Sequence, residues 1–551
     1  MFSFLRCSKS STPAPPPPPP PPPSASFDWT TRSIDGVAFA STQTLRGINN
    51  NPVIRVSFSD KVDRSTIPSA ITYTNKSQNS SNVSFTVAYQ NNDSTITITP
   101  SSPIAYLNEH IFSLSTSVKS VSGKNLSGRL DLNFITQFDP ADKFPLVSDS
   151  ALVQLTQQQT FKYFWDFGHP VSGLARERNT SGDLVTSGGS GFGVMAILTG
   201  IHRGFITRAQ GFARVQTMVS FLKNTAQRFH GAYPHWLNGA TGVVIPFSTK
   251  DNGADLVETS YLIQGLLCAR QYFNGSDAAE TTLRADINSI WQGVEWNWFR
   301  KNNENVLYWH WSPNYMWDIN MQIKGWNECL ITYALAASSP TYPIPKIVYD
   351  NGWASNGGIK TNRNHYGYPL PMGPSFGGPL FFAHYSFLGI NPFGLTDAYA
   401  NYQTQVVNHT KINYEYVKAN PKGYYGYSDQ NWGLTASDIP NSYSASSPTN
   451  DSGVIAPTAA LSSFPYTPTE SMKALKFFYY KLGDKLWGEY GFKDAFSLHE
   501  PWFASSYLAI DQGPIIVMME NYRSGLLWNL FMSCPEVKTG MTTLGFQSPH
   551  L

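Results

Sequence analysis

Hydrophobic and polar positions alternate along the first part of the chain. Apolar side chains recur at every second residue at Ile54, Val56 and Phe58, and the same alternation returns at 83–89 and 96–98. A period of two predicts strands that bury one face. Turn-forming segments such as QNNDS and VSGKN separate these strands. Residues 27–140 are therefore predicted to form a small all-β sandwich.

From about residue 141 the apolar spacing becomes helical. Candidate helices cover 148–166, 190–203, 207–229, 255–274, 278–298, 324–337, 378–388, 395–417, 455–462, 467–483 and 513–531. About a dozen helices without a comparable series of strands predict six helical hairpins closed into an (α/α)6 barrel, a toroid. An α-solenoid would give a similar pattern, but the absence of a fixed sequence repeat favours the toroid. The fold is predicted to be mainly α over 141–551.

Residues 1–26 form a separate leader. MFSFLRCSKSS is followed by a proline run from Pro15 to Pro23, and its apolar part is too short for a complete signal peptide. Cys7 followed by serine and an extended proline spacer resembles the mature start of a bacterial lipoprotein. This interpretation predicts an exported protein of a Gram-negative bacterium, periplasmic or anchored to the outer membrane through Cys7, with an incomplete leader. An ordinary disordered tail is the alternative.

The amino-acid composition argues against several classes of protein. Charged residues make up 14% and the formal net charge is +2, so no basic excess is present to bind a nucleic acid. Four cysteines lack CxxC spacing, and Cys268 and Cys329 fall in helical apolar patterns, which argues for core positions and against a disulfide framework. No apolar run is long enough to span a membrane. We expect a monomer.

The segment DNGADLVETSY carries three carboxylates at the predicted start of a helix. Asp251, Asp255 and Glu258 follow at i, i+4 and i+7, so they share one face. Asp251 or Asn252 is predicted to cap the helix, whose dipole favours negative charge at this end. A capped surface helix with an acidic first turn would have the same pattern.

Aromatic segments favour a functional interpretation of these acids. GAYPHW at 231–236 precedes them and WHWSPNYMW at 309–317 follows. Both segments combine aromatic and polar groups of the kind that line a sugar cleft. A carbohydrate-binding cleft is therefore predicted around the three carboxylates.

Two further acids stand beside large apolar groups. Glu328 lies in KGWNECL at a predicted helix start, and Asp511 lies in YLAIDQGP before a predicted helix. Burial raises the pKa of such a carboxyl, which makes it a candidate general acid. The alternatives are a pair between Glu328 and Lys324, and a capping role for Asp511 at the helix after Pro514.

Other motifs are weaker. The glycine-rich GSGFG at 189–193 follows no predicted strand, so we interpret it as a site of close helix packing or a substrate-side turn rather than a dinucleotide loop. The histidines form neither HxxxH nor HExxH, which gives a zinc site little support. No GxSxG elbow is present. Neither a cofactor nor a metal is expected.

A series of longer motifs occurs in order along 145–535: FKYFWDF, GLARERN, SGGSGFGVMAILTGIHRG, GAYPHW, DNGADLVETSYLIQGLL, WHWSPNY, KGWNE, GGPLFFAHYSFLGINP, QNWGLTASD, YGFKDAFS and AIDQGPIIVMMENYRSGLLW. This series resembles the glucoamylase-like family of bacterial proteins, whose sugar-active members belong to glycoside hydrolase family 144. The resemblance implies an (α/α)6 barrel that hydrolyses β-1,2-glucan or its oligosaccharides by an inverting route. Residues 27–140 similarly resemble the bacterial Ig-like domains appended to secreted enzymes.

The resemblance also implies the site. Its acidic positions, the candidate catalytic residues, fall on Asp251, Asp255, Glu258, Glu328 and Asp511. Inversion needs one general acid and one general base, and the sequence does not assign these roles. The candidate substrate-binding residues are Arg176, Tyr233, His235, Trp236, Trp309, Trp311, Tyr315, Lys324, Trp326, Trp432 and Phe492.

Two other functions fit the same residues. A non-catalytic surface lipoprotein would stack sugars on aromatic side chains and use the acids only to bind hydroxyl groups. A hydrolase or lyase acting on another glucan is the second alternative, since one fold supports several activities.

Overall fold

The computed structural model describes residues 26–40 and 43–551, so Cys7 and the proline run lie outside the described residues. The chain divides into two compact units between Phe138 and Asp139. Within the described ranges, no helix has both the length and the apolar character needed to cross a membrane.

The first unit consists of two five-stranded sheets, with strand orders β2-β1-β4-β8-β7 and β3-β10-β9-β5-β6. The strands are β1 Trp29–Ile34, β2 Val37–Ala38, β3 Thr44–Ile48, β4 Ile54–Phe58, β5 Ile71–Asn75, β6 Ser81–Asn82, β7 Phe85–Gln90, β8 Thr95–Pro100, β9 Glu109–Leu114 and β10 Leu130–Thr136, and α1 is the short helix Ile67–Ala70. The pair β3–β10 is parallel.

One hydrophobic core joins both sheets. Ile54 and Val56 of β4 and Phe112 of β9 are fully buried in the same cluster. Buried and outward-facing residues alternate along β4, as the period of two predicts. Two sheets that share one core form a β-sandwich.

The second unit is mainly helical. Its helices are α2 Asp149–Trp165, α3 Ser187–His202, α4 Arg208–Asn224, α5 Leu256–Tyr272, α6 Ala278–Gln292, α7 Leu330–Ser338, α8 Lys346–Asn351, α9 Tyr402–Ala419, α10 Pro457–Leu461, α11 Pro468–Lys476, α12 Gly483–Leu486, α13 Ala509–Ser524, α14 Leu526–Met532 and α15 Pro535–Leu544. A single-turn π-helix follows α11 at Phe477–Lys481.

Three helices form the centre of this unit. Nearly every residue of α3, α5 and α13 is buried, which is the pattern of a helix covered on all sides. Helix α3 packs against both α5 and α13, and α5 packs in turn against α7 and α14. Helices α4 and α6 pack outside α3 and α5 and bury only one face. The helices therefore form a buried inner layer and a partly exposed outer layer.

Glycines allow the two central helices to approach closely. A Cβ on Gly191 of α3 would overlap the carbonyl oxygen of Tyr261 of α5, and a Cβ on Gly265 would overlap the carbonyl oxygen of Gly191. The expectation that the glycine-rich 189–193 segment serves close helix packing is confirmed.

Several helix predictions need correction. The helices predicted over 324–337 and 395–417 begin later, at Leu330 and Tyr402, so Glu328 lies in the turn before its helix. The helix predicted over 378–388 is instead two short 3₁₀ segments, Leu380–Ala383 and Ser386–Leu388, because Gly378 has a positive φ of 87° and Pro379 provides no N–H group. The helix predicted over 513–531 begins earlier, at Ala509, and ends where Gly525 adopts a φ of 70°. Asp511 therefore lies within the first turn of α13 rather than before it.

Short strands in the helical unit carry much of the site and were not predicted. They are β11 Leu184–Thr186, β12 Trp236–Asn238, β13 Val244–Ile245, β14 Ala254–Asp255, β15 His310–Trp311, β16 Lys360–His365, β17 Tyr368–Met372, β18 Ala436–Ile439, β19 Ser442–Ala445, β20 Trp487–Gly488, β21 Gly491–Phe492, β22 Phe496–Ser497 and β23 Trp502–Phe503. Most are only two to four residues long, which is too short for a period of two to be detected.

Candidate active site

A cavity of about 440 Å³ opens where the three central helices begin. Thr186 precedes α3, Glu258 lies in the first turn of α5, and Leu508 precedes α13. The wall combines aromatic rings with carboxylates, and it is formed by Glu177, Arg178, Thr186, His235, Trp236, Phe247, Glu258, Tyr261, Trp309, Glu328, Phe381, Tyr385, Ala436, Tyr443, Ala445, Leu508 and Ile510. Such a lining suits a ligand with apolar faces and many hydroxyl groups.

Asp255 caps helix α5. Its Oδ1 accepts hydrogen bonds from the backbone N–H groups of Val257 (3.0 Å) and Glu258 (2.9 Å). The prediction that Asp251 or Asn252 caps this helix is wrong, because β14 pairs with β15 and keeps the backbone extended as far as Asp255. Asp255 is fully buried beside the cavity.

Glu258 lies on the cavity wall at the junction of α3 and α5. Its Oε2 accepts hydrogen bonds from the N–H of Gly188 (2.8 Å) and the hydroxyl of Thr186 (3.2 Å). Burial raises the pKa of Glu258, and the negative charge of Asp255 raises it further, while His235 and the two hydrogen bonds oppose the shift. The start of α3 therefore holds one oxygen of Glu258 in a fixed direction.

Two histidines face the acids of the DNGADLVET segment. Nδ1 of His235 lies 3.0 Å from Oδ2 of Asp255, and Nε2 of His310 lies 3.4 Å from Oδ2 of Asp251 and 3.7 Å from Oδ2 of Asp255. Burial opposes a charge on His235, but the carboxylates of Glu258, Asp255 and Asp251 outweigh it and raise the pKa to about 9. Burial raises the pKa of Asp251 to about 7, helped by repulsion from Asp255.

Glu328 lies on the wall in the turn before α7. Its side chain is half-buried, and burial raises its pKa to about 7, with a further contribution from the negative charges of Glu258 and Asp255. The hydroxyl of Ser386 donates to the Glu328 carbonyl and accepts from the N–H of Ile331 at 3.0 Å, which fixes the turn. Within the described ranges no ion pair joins Glu328 to Lys324, which is exposed and does not contribute to the pKa shift of Glu328, so the alternative pairing is not observed.

Asp511 is buried behind the wall rather than on it. Its neighbours Leu508 and Ile510 line the cavity, while its own carboxyl faces Asp494. Burial and the adjacent charge of Asp494 raise the pKa of Asp511 well above its usual range, and burial raises that of Asp494 to about 7. Two buried carboxyls in contact favour sharing one proton, because both cannot ionise without strong repulsion. Oδ2 of Asp494 also accepts from the N–H of Asp438 at 2.6 Å.

Three predicted sugar-binding residues lie on the wall. His235, Trp236 and Trp309 line the cavity, and Phe247 packs against both His235 (ring centroids 4.3 Å apart) and Trp236 (4.7 Å). The rings of His235, Trp236 and Phe247 contact one another, and together with Trp309 they form the aromatic surface of the wall.

The other predicted sugar-binding residues do not line this cavity. Four of them, Tyr233, Trp326, Trp432 and Phe492, are buried in side-chain packing. Trp311 is half-buried on β15, and Tyr315 and Lys324 are exposed. The guanidinium of Arg176 donates to the carbonyls of Gly182 (2.7 Å) and Phe167 (2.9 Å), so it holds a loop. None of these eight side chains lines the cavity.

Several wall residues were missed by sequence reasoning. Glu177 and Arg178 form an ion pair at 2.9 Å, and Arg178 also approaches Asp438 at 3.4 Å. The consecutive charges of GLARERN were a usable signal for this pair. Tyr443, on the β18–β19 hairpin, and Tyr385 gave no such signal, because single tyrosines in loops carry no spacing information.

Comparison with known proteins places the chain in a family. Residues 320–535 match the family model described as "Putative glucoamylase", and residues 37–136 match the model of the bacterial Ig-like domain. The structure of an endo-β-1,2-glucanase from Chitinophaga pinensis is 55% identical in sequence, with a TM-score of 0.72, and the match covers 74% of this chain and 100% of that one. The chain belongs to the glucoamylase-like family.

Two relatives from Parabacteroides distasonis extend the comparison. The exo β-1,2-glucooligosaccharide sophorohydrolase (non-reducing end) is 47% identical over 424 residues, which are 73% of this chain and 58% of that protein. The structure of a β-1,2-glucanase is 36% identical, with a TM-score of 0.71, and the match covers 94% of this chain and 74% of that one. The chain thus spans little more than half the length of the sophorohydrolase.

Proposed function

We propose that this protein is a glycoside hydrolase that cleaves β-1,2-glucan or β-1,2-gluco-oligosaccharides. The observation that carries the proposal is the position of Glu328, a carboxyl with its pKa raised to about 7, on the wall of a cavity lined by aromatic rings and further carboxylates. The similarity to an endo-β-1,2-glucanase and to a β-1,2-glucooligosaccharide sophorohydrolase supports the choice of linkage.

Glu328 is the proposed general acid. A carboxyl with a pKa near 7 is protonated in about half of the molecules at pH 7 and can deliver that proton to the glycosidic oxygen as the bond breaks. The fixed turn before α7 directs the carboxyl at the cavity. Repulsion from Glu258 helps to keep this proton in place.

Asp511 is the proposed general base of an inverting reaction. Because it lies behind the wall, a water molecule or a substrate hydroxyl has to relay the proton from the attacking water. With one proton shared between Asp494 and Asp511, the pair keeps one negative charge that can accept that proton. Glu258, Asp255 and Asp251 are the competing candidates, and Glu258 has the most direct access because it lies on the wall.

Substrate binding is proposed to use the aromatic surface of Trp236, Phe247 and Trp309. Sugar rings present apolar faces that stack on such side chains, while Arg178 provides donors for hydroxyl groups. The aromatic rings and Arg178 would then bind the sugar, and the carboxylates would act in the cleavage of the glycosidic bond.

The helical unit is proposed to be an (α/α)6 barrel. The inner layer of α3, α5 and α13 and the outer layer that includes α4 and α6 support this architecture. In such a barrel the inner helices begin at one end, which is where the cavity opens.

Export and lipid attachment at Cys7 are also proposed, on the basis of the leader composition alone. Mass spectrometry of the N-terminal peptide from the native host would detect the lipid. An unmodified Cys7 in the membrane fraction would refute this anchor.

A panel of glucans tests the proposed activity. We expect new reducing ends from β-1,2-glucan and its oligosaccharides, and none from β-1,3-, β-1,4- or α-linked glucans. Release from another glucan instead would favour the alternative hydrolase, ultraviolet-absorbing products would indicate a lyase, and binding without release would indicate a carbohydrate-binding protein.

A further inference from the structure

Four side chains from separate segments converge beside the cavity. His235 precedes β12, Asp251 lies in the loop before β14, Asp255 caps α5 and His310 lies on β15. His235, Asp251 and Asp255 form a group in which each residue offers one ligand atom and these atoms lie within 4.8 Å of one another. Nε2 of His310 joins it at 3.4 Å from Asp251 and 3.7 Å from Asp255.

The spacing of these atoms matches a coordination shell. In a tetrahedral site with bonds of about 2.0–2.2 Å, neighbouring ligand atoms lie roughly 3.3–3.6 Å apart. The closest approaches are 3.0 Å for His235 and Asp255, 3.4 Å for His310 and Asp251, and 3.7 Å for His310 and Asp255. These three contacts are close to that spacing, whereas His310 is outside the group of three whose ligand atoms all lie within 4.8 Å, so His310 has to move toward His235 for one cation to contact all four residues.

Each carboxylate has an oxygen available for such a cation. Oδ1 of Asp255 accepts the two capping N–H groups of α5, which leaves Oδ2 directed at the histidines. Asp251 is more than nine-tenths buried, yet among the described residues no N–H or O–H group donates a well-formed hydrogen bond to its carboxylate. Apart from the His310 contact at 3.4 Å, this buried carboxylate lacks a close donor among the described residues, which is costly, and a bound cation would reduce that cost.

We propose that His235, Asp251, Asp255 and His310 form a binding site for a divalent transition cation of the zinc type. Two imidazole nitrogens and two carboxylate oxygens suit zinc, whereas calcium and magnesium prefer shells made only of oxygen. Nε2 of His235 faces Oε1 of Glu258 at 4.0 Å, and metal-bound histidines commonly direct their second nitrogen at a carboxylate.

The proposed ion would have a positioning role. Four protein ligands fill a tetrahedral shell, so no open position remains for a reacting water. The ion would instead join the Asp251 loop, the start of α5 and strand β15, and would thereby fix the wall beside Glu258. Metal binding at these four side chains can be measured without an assay of hydrolysis, so the proposed site can be tested separately from the proposed function.

Sequence motifs could not reveal this site. Its ligands are separated by up to 75 positions, from residue 235 to residue 310, and the one pair at i and i+4, Asp251 and Asp255, contains no histidine, so neither HxxxH nor HExxH is present. Only the pairing of β14 with β15 brings His310 opposite Asp255.

Metal binding by the whole protein tests the proposal directly. The purified chain is stripped with a chelator, titrated with cobalt(II), and followed by visible absorption, then loaded with zinc(II) and analysed for metal content. We expect one equivalent of metal and the intense absorption of four-coordinate cobalt. Zinc-edge X-ray absorption should show two imidazole nitrogens and two oxygens at about 2.0–2.2 Å.

Variants locate the ion. Asp251→Asn and His310→Gln should each weaken cobalt binding at least about tenfold, while Asp183→Asn should bind as the wild type does. Asp183 is a matched control because it pairs with a single histidine, His169, at 3.1 Å without further ligands. Circular dichroism verifies folding of each variant. Failure of the wild-type protein to bind one equivalent, an all-oxygen shell, or unchanged binding by both folded variants would overturn the proposal.

Discussion

The carboxyl of Glu328 lies half-buried beside two other acids, and its pKa is raised to about 7. If it is the general acid, Glu328→Gln removes the proton that is transferred to the leaving oxygen. We expect kcat on β-1,2-glucan to fall about 10²–10⁴-fold. The melting temperature should change little, because an amide keeps the shape of the side chain. A variant that keeps more than about a tenth of the activity would show that another group is the acid.

The Glu328 carboxyl is also expected to determine how kcat/KM declines at alkaline pH. Its folded pKa of about 7 lies above the ordinary value of 4.5, so the protonated form persists to neutral pH and is lost as the pH rises through about 7. We therefore expect kcat/KM of the wild-type protein to decline above about pH 7. The residual activity of Glu328→Gln should lack this decline, whereas an unchanged decline would assign it to another residue.

Burial and the contact with Asp494 raise the pKa of Asp511, the proposed general base. Asp511→Asn should lower turnover about 10²–10⁴-fold, because it breaks the pair of carboxyls that shares one proton and accepts the proton from the attacking water. Asp494→Asn removes the repulsion that raises the pKa of Asp511, so Asp511 should ionise at lower pH. The acidic side of the kcat/KM profile should shift toward lower pH in Asp494→Asn. Nearly full activity in Asp511→Asn would transfer the base role to Glu258, Asp255 or Asp251.

At the scale of elements, the contact between α3 and α5 positions the start of both helices and therefore Glu258. Gly191→Ala places a methyl group against the carbonyl of Tyr261, and neither backbone can yield without separating the helices. We expect the free energy of unfolding to fall by about 1–3 kcal/mol, measured by urea denaturation. Gly128→Ala is the control, since nothing lies within 4 Å of the added Cβ there. An unchanged midpoint for Gly191→Ala would contradict this packing.

The sequence predicted the elements whose pattern is local. The period of two identified strands such as Ile54–Phe58, and helices with long periodic stretches, such as Asp149–Trp165, were predicted to within a residue or two. The two-residue strands and the break at Gly525 escaped because neither depends on periodicity.

The residues of the candidate site also differ in how far the local sequence predicts them. Carboxylates in dense motifs, such as Glu258 and Glu328, were identified from the sequence and lie on the wall. Large aromatic residues were harder, because Trp236 on the wall and Trp432 in the core have similar sequence surroundings. Burial of a single tryptophan depends on tertiary packing, which no short motif records. The pairing of Asp494 with Asp511 is likewise a tertiary contact.

At the scale of the whole molecule, the chain divides at residues 138 and 139, and each unit has its own hydrophobic core. All proposed catalytic and binding residues belong to the helical unit. A protein lacking residues 1–140 is therefore expected to fold and to keep turnover on β-1,2-gluco-oligosaccharides largely intact. Circular dichroism and initial rates check both parts. A well-folded but inactive 141–551 protein would contradict the assignment of function to the helical unit alone.

The most direct test of the central claim is the configuration of the newly released reducing end. Proton NMR can follow the anomeric signals during the first minutes of hydrolysis of a β-1,2-gluco-oligosaccharide, before mutarotation equilibrates them. An inverting reaction with Glu328 as acid predicts that the α-anomer appears first in the wild type and that Glu328→Gln releases almost nothing. Initial appearance of the β-anomer, or no release by the wild-type protein, would contradict the account.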